Sequence, residues 1–223
     1  MSDAPRAPLR AGLQLGLAAL LATALLAGTH WLTRDRIQAA EHRAQMQALE
    51  IVLPADRYDN DVLADTVQVQ APAWLGSDSS TVHRATRRGA PSALVFETIA
   101  PDGYGGAIRL LVAVDAGGVV LGVRTIFHRE TPGLGDDIEA GRSDWITRFR
   151  GRALGDPPDA GWAVRKDGGD FDQFAGATVT PRAVVRAVHR ALQFVARHGD
   201  EIRAAQPGDT LRFPTAPDAP RAR

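Results

Sequence analysis

From Gly12 to Trp31 the chain reads GLQLGLAALLATALLAGTHW, and Gln14 is the only strongly polar side chain before His30. A helix of about 20 apolar residues, rising roughly 1.5 Å per residue, crosses the hydrocarbon of a bilayer. The pattern predicts a transmembrane anchor over 12–32, behind a short N-terminal segment, 1–11. The competing reading is a cleaved signal peptide, whose apolar core runs about 7–15 residues. A retained anchor fits better because the helical pattern continues. Ile37, Ala40, Ala44, Leu49 and Leu53 recur among charges with no breaker until Pro54, which predicts a linking helix over 33–53.

Beyond Pro54 the pattern changes to short apolar runs separated by turn residues. HRATRRGAPSALVFETI predicts a hairpin turning at Arg88-Gly89 before a strand, Ser92–Ile99. AIRLLVAVDAGGVVLGVRTIFH predicts strands Ala107–Val114 and Val119–His128, joined at Asp115-Ala116-Gly117-Gly118. SDWITRF reads as one or two helical turns capped by Ser143. Val184, Val188, Leu192 and Val195 share a face of one good helix. Thr180-Pro181 reads as its start, with the hydroxyl as cap and the proline in first place, and Gly199 as its C-cap. The expected class is α+β. A domain over 54–206 carries a mixed or antiparallel sheet and a few helices, followed by a disordered proline-rich tail, 207–223.

Composition narrows the chemistry. Twenty-six basic and 26 acidic side chains balance, so there is no overall basic field to draw nucleic acid. The absence of cysteine excludes disulfides, cysteine-ligated iron–sulfur clusters and thiol chemistry. The six histidines never fall at a metal-site spacing, so no protein-built metal site is expected. Sidedness stays open: Arg34, Arg36 and Arg43 follow the apolar run, Arg6 and Arg10 precede it, and large domains translocate largely regardless of such charges.

The candidate chemistry lies in FDQFAGATVTP, Phe171–Pro181. Thr180 has a cap to make, whereas Thr178, two residues earlier, has no such task. Its hydroxyl sits beside the backbone amides of Gly176 and Ala177 at the positive end of a helix, an environment suited to phosphate. Gly176 and Ala177 leave room for a bulky group. On these residues alone, a plain turn and an anion site both remain open.

Asp172–Thr178, DQFAGAT, resembles the flavinylation motif D-x-x-(S/T)-G-A-T of bacterial electron-transport proteins. VLPADRYDND, PDGYGG, HRETPGLGDDIE, DWITRF and KDGGDFDQF are similar in the same order to the RnfG family, the G component of the Rnf ion-translocating electron-transport complex. The likeness covers the anchor and nearly the whole domain. It departs at Ala175, where the motif has Ser or Thr.

The resemblance implies FMN joined to Thr178 by a phosphoester, within a motif of Asp172, Gly176, Ala177 and Thr178. It implies that Glu130, Thr131, Gly133 and Leu134, together with Gly176 and Ala177, contact the flavin. A separate metal-dependent flavin transferase would use FAD as donor. Asp172 is either recognised by that transferase, a helper of Thr178, or a turn carboxylate. Tyr104 is either near the flavin or part of a plain turn. His128 and Glu130 read as structural hydrogen-bonding groups rather than an acid–base pair, and no catalytic residue is expected. The implied partners are the other Rnf subunits and the lipid bilayer. The implied setting is the bacterial inner membrane, with the flavin domain periplasmic and electrons passing between ferredoxin and NAD. Two rivals remain: the equivalent flavin-carrying component of a sodium-translocating NADH:quinone reductase, and an anchored scaffold without cofactor.

Overall fold

The computed structural model describes residues 46–214 and scattered positions between 15 and 43. Those scattered positions are helical, and the rest of the expected 12–32 span and 33–53 linking helix up to residue 45 lies outside the described residues. Among the described residues no helix is long and apolar enough to cross a membrane. The chain divides into two compact units, Met1–Met46 and Gln47–Arg223.

The second unit is built on a six-stranded sheet in the order β5-β4-β3-β2-β1-β6. Its strands are β1 (Thr66–Gln70), β2 (Ser80–Arg87), β3 (Ala90–Gly103), β4 (Gly106–Asp115), β5 (Val120–Phe127) and β6 (Thr210–Arg212). Neighbours run antiparallel except β1 and β6, which are parallel, so the expected mixed sheet is present. The β2–β3 hairpin turns at Arg88 and Gly89, with φ of 53° and 76°. Two successive positive φ angles match the right-handed twist of the strands it joins. β3 runs four residues past the expected Ile99, so PDGYGG forms the end of a second hairpin.

Both sheet faces are covered. The helices beside the sheet are α1 (Pro72–Leu75) and α2 (Val179–Ala204). On one face, Leu94, Phe96, Val112 and Val123 join the main core with α2. On the other, Val95, Ala113 and Gly122 stand side by side across β3, β4 and β5. There a Cβ on Gly122 would lie 2.9 Å from the Val52 Cα, so glycine lets the chain leading into the domain lie directly on the sheet. Val52, Leu53 and Val62 are fully or almost fully buried, closing a smaller second core.

The helix runs past Gly199, the expected C-cap, to Ala204. Its end is made by a tertiary partner rather than by a left-handed glycine. Arg84, only 8 % exposed, reaches from β2 to the Ile202 and Arg203 carbonyls at 3.2 and 3.3 Å, and also to that of Ala205. The same guanidinium grips Asp65, with Nε at 2.7 Å. A cation at the negative end of the helix satisfies carbonyls that have no partner in the helix itself.

The tail expected to be disordered from Pro207 starts instead with β6. Leu211 pairs with Val69, and Phe213 is buried against Phe194 and His198 at ring distances of 5.4 and 4.2 Å. Backbone pairing with β1 and the packing of these two apolar side chains together hold the strand at the sheet edge. Residues 215–223 lie outside the described residues.

Candidate functional site

Residues 128–178 connect β5 to α2 through turns and short 3-10 segments, and rings hold them together. Trp145, Phe149, Trp162, Phe171 and Phe174 are all buried. Phe149 stacks on Phe171 at 4.7 Å, and Trp145 meets Phe174 edge-on at 5.1 Å. The expected helical turns form a 3-10 segment, Trp145–Phe149, that starts one residue late with Asp144 rather than Ser143 in the cap position, although Ser143 Oγ still accepts the Trp145 amide at 3.1 Å.

This framework fixes the start of the flavinylation-like motif. The Trp145 indole N–H donates to the Asp172 carbonyl at 2.8 Å. One Asp172 carboxylate oxygen is taken by Arg148 and the other by Arg165, at 3.0 Å. Both oxygens are thus engaged by arginines from different turns. Two residues on, Phe174 returns to the ring cluster, and Gly176 turns the chain with φ of 77°.

The two threonines at the helix entry stand one step off their expected places, and neither hydroxyl caps the helix. Thr178 occupies the N-cap position with φ −76° and ψ −26°, and its side chain makes no capping bond. In this αR conformation the backbone does not present the hydroxyl as an extended N-cap residue would. Thr180, expected as the cap, is the second helical residue and is fully buried. Its hydroxyl donates to Glu130 Oε2. Pro181 is accordingly third rather than first in the helix, still within the turn whose amides have no helical acceptor. Thr178 is half-buried, between exposed Ala175, Gly176 and Val179.

Glu130 is 5 % exposed and turns inward, where it also accepts the Gly105 amide at 3.0 Å. His128 points elsewhere, with Nε2 2.7 Å from Glu139 Oε1. Its Nδ1 accepts the Glu130 amide at 3.1 Å, which places the ring proton on Nε2. The two side chains are therefore separate structural groups. Thr131, Gly133 and Leu134 are exposed on a tight loop in which the Leu134 and Gly135 amides both reach the Thr131 carbonyl at 3.1 Å. Leu134 Cδ2 comes within 3.5 Å of where a Cβ on Gly176 would stand, so this loop and the turn before Thr178 meet.

Several contributors were not singled out in the sequence. Asp136, buried and 3.3 Å from Arg142, holds the loop through the Gly133 amide at 2.7 Å. Along α2, Arg182 pairs with Asp167, and Arg186 with Asp102 in the β3–β4 hairpin. The Arg182 hydrogen bond holds the Asp167 carboxyl below its ordinary value. Charge spacing of four residues on the helix was visible, but the partners of Arg182 and Arg186 lie 15 and 84 residues away. Among the described residues no group of three or more acidic or histidine side chains is placed to hold a metal ion.

A hydroxyl without a capping bond at a helix entry, small residues beside it and exposed apolar side chains around it fit a flat cofactor carrying a phosphate. The fold class agrees: the FMN-binding domain family matches residues 103–193, which include the tip of the β3–β4 hairpin, β4, β5, every loop just described and most of α2. A second family, the RnfG N-terminal region, matches residues 1–52. The G component of the ion-translocating oxidoreductase complex of Pseudomonas aeruginosa is 53% identical over 190 residues, spanning 85% of this chain and 89% of that protein. Its counterpart in Cereibacter sphaeroides is 48% identical over 205 residues, 92% of each chain. The counterpart in Shewanella oneidensis is 47% identical over 192 residues, 86% of this chain and 91% of that one. The chain belongs to the RnfG family, the G components of ion-translocating oxidoreductase complexes.

Proposed function

We propose that this chain is the FMN-carrying electron-transfer subunit of an Rnf-type ion-translocating oxidoreductase complex, with the flavin joined to Thr178 by a phosphoester. Bound there, FMN supplies the redox chemistry, and the protein supplies position and surroundings. The observation that carries the site is the difference between the threonines: the Thr180 hydroxyl is buried on Glu130, whereas that of Thr178 makes no capping bond. A threonine hydroxyl is a poor nucleophile unaided. Asp172, with both oxygens on arginines, suits a role in shaping the motif better than one as a free base. Attachment is therefore assigned to a separate flavin transferase, in which Thr178 Oγ replaces AMP on the flavin phosphate of FAD and gives up its proton.

Gly176, Ala177 and the exposed Thr131, Gly133 and Leu134 are the proposed neighbours of the cofactor. Glu130 belongs to the site through its backbone and its buried contacts. The apolar run at 12–32 supports a single-pass anchor in the bacterial inner membrane, and the family resemblance supports a periplasmic flavin domain that passes electrons between ferredoxin and NAD. The test is flavin fluorescence in a denaturing gel after co-production with a flavin transferase. Wild type and Thr180→Ala should fluoresce and Thr178→Ala should be dark. A dark wild type would favour the cofactor-free scaffold, and a fluorescent Thr178→Ala would move the attachment point.

A further inference from the structure

We propose that Glu130 is a positioning residue that locks together the three backbone segments around Thr178. The proposal deepens the flavin reading above and rests on it for its spectroscopic test. A buried carboxylate is costly unless its oxygens are hydrogen-bonded, so its partners show what the burial achieves. Its hydrogen-bond donors are the Gly105 amide at the tip of the β3–β4 hairpin and the Thr180 hydroxyl in the first turn of α2. Both are uncharged groups, and the positive end of the helix supplies further electrostatic support.

The third segment is held by shape. A Cβ on Gly135 would stand 2.8 Å from Glu130 Oε2 and 2.9 Å from both Glu130 Cβ and Thr180 Oγ1. The loop after β5 therefore lies directly on this pair, and only a glycine allows it so close. Each anchored backbone position adjoins an exposed apolar side chain. Gly105 follows Tyr104, Gly135 follows Leu134 and Thr180 follows Val179, with exposures of 75 %, 44 % and 41 %. Thr178 is one residue further back. A single carboxylate thus sets the relative placement of three side chains that a flat ring tethered at Thr178 would meet. Preorganisation of this kind fixes a cofactor's orientation through groups that need not touch it.

Three variants test the lock: Glu130→Gln, Glu130→Ala and Thr180→Val. An amide in place of the carboxylate keeps an acceptor for Gly105 and offers a donor to the Thr180 oxygen, so Glu130→Gln should behave as wild type. Valine keeps the volume of threonine without its hydroxyl. The first readout is amide hydrogen exchange over 103–106, 131–136 and 178–181, which needs no flavin. Glu130→Ala should speed exchange in all three segments together, and Thr180→Val should do so to a smaller extent. The second readout is the visible circular dichroism of the attached flavin, with content checked by intact mass. Glu130→Ala should keep the flavin and lose those bands, while Glu130→Gln retains them. Faster exchange confined to one segment, or unchanged dichroism in Glu130→Ala with flavin on Thr178, would overturn the proposal. If Glu130→Ala does not fold, Thr180→Val decides: wild-type exchange in all three segments counts against the lock, and faster exchange supports it. Failure of the flavin reading would show separately, as an unlabelled wild type.

Discussion

The two halves of the FMN-binding domain are stabilised in different ways. In the half formed by β1–β3 and the C-terminal turns of α2, support is repetitive. Strand pairing recurs residue by residue, and Trp74, Phe96, Phe194 and Phe213 fill one continuous layer. In the half formed by residues 128–178, each turn depends on one or two particular contacts: Asp136 on the Gly133 amide, Arg148 and Arg165 on Asp172, Trp145 on the Asp172 carbonyl. The candidate site belongs to this second half. Regular pairing leaves few backbone groups and little free surface for a cofactor, whereas singly supported loops can present both. The cost is that a single substitution there should disturb function and stability together.

The largest expected effect compares two phenylalanines, both fully buried, one in each half. Phe149→Ala and Phe194→Ala should each cost about 3–5 kcal/mol in urea unfolding, the usual range for deleting a core ring. Their consequences for the site should differ. Phe149 packs on Trp145 and Phe171, so its loss should disturb the Asp172–Thr178 segment and reduce flavin attachment. Phe194 packs on Trp74, Phe96 and Phe213, so its loss should leave attachment intact in the fraction that folds. Equal loss of flavin in both variants would mean that the halves are not independent supports.

A smaller effect is expected at Arg84, where the regular half does rely on a single side chain. Arg84→Met keeps much of the apolar stem but removes the pair with Asp65 and the bonds to the helix C-terminus. Leaving those carbonyls without their donor should cost about 2–3 kcal/mol, below the full penalty of a broken buried pair because Asp65 is a quarter exposed. Melting curves should shift accordingly, with flavin content unchanged. A loss below about 0.5 kcal/mol, typical of surface substitutions, would show that water replaces the guanidinium at this cap.

The smallest effect is acid sensitivity. Burial lowers the pKa values of His83 in the sheet half and His189, stacked on Trp162 at 5.1 Å, below the ordinary 6.5. Near pH 6.5 the unfolded chain takes up protons that the folded chain does not. Stability is then fully present above that pH and is lost as pH falls below it. His189→Gln should flatten the fall in melting temperature between pH 7 and pH 5, although Asp159, 3.5 Å from the ring, opposes the burial effect and keeps the change small. An unchanged slope would place the acid-sensitive groups elsewhere.

The same division explains what could be read from the sequence. The Arg88-Gly89 hairpin, β4, β5 and the apolar face of α2 were legible because period-two and helical patterns report burial along one element. β1 was not delimited and β6 was assigned to a disordered tail, since a three-residue edge strand has too little pattern to register. Gly199 misled because the helix end is set by Arg84, more than 100 residues away in the chain. Local logic also gave the cap to Thr180, whereas a buried carboxylate 50 residues distant takes its hydroxyl. In the loop half, composition and periodicity indicated turns and little else. The site residues there were legible only through resemblance of whole motifs, because their geometry comes from partners that no local pattern connects.

The central claim is that Thr178, rather than Thr131 or Thr180, carries the flavin. The most direct test is peptide mapping by mass spectrometry of the full chain co-produced with a flavin transferase. The expected result is the mass of FMN less water on the peptide containing Thr178, with fragment ions placing it on that residue, and an unmodified peptide in Thr178→Ala. Modification at Thr180 or Thr131, or a wild-type peptide that remains unmodified, would contradict the account.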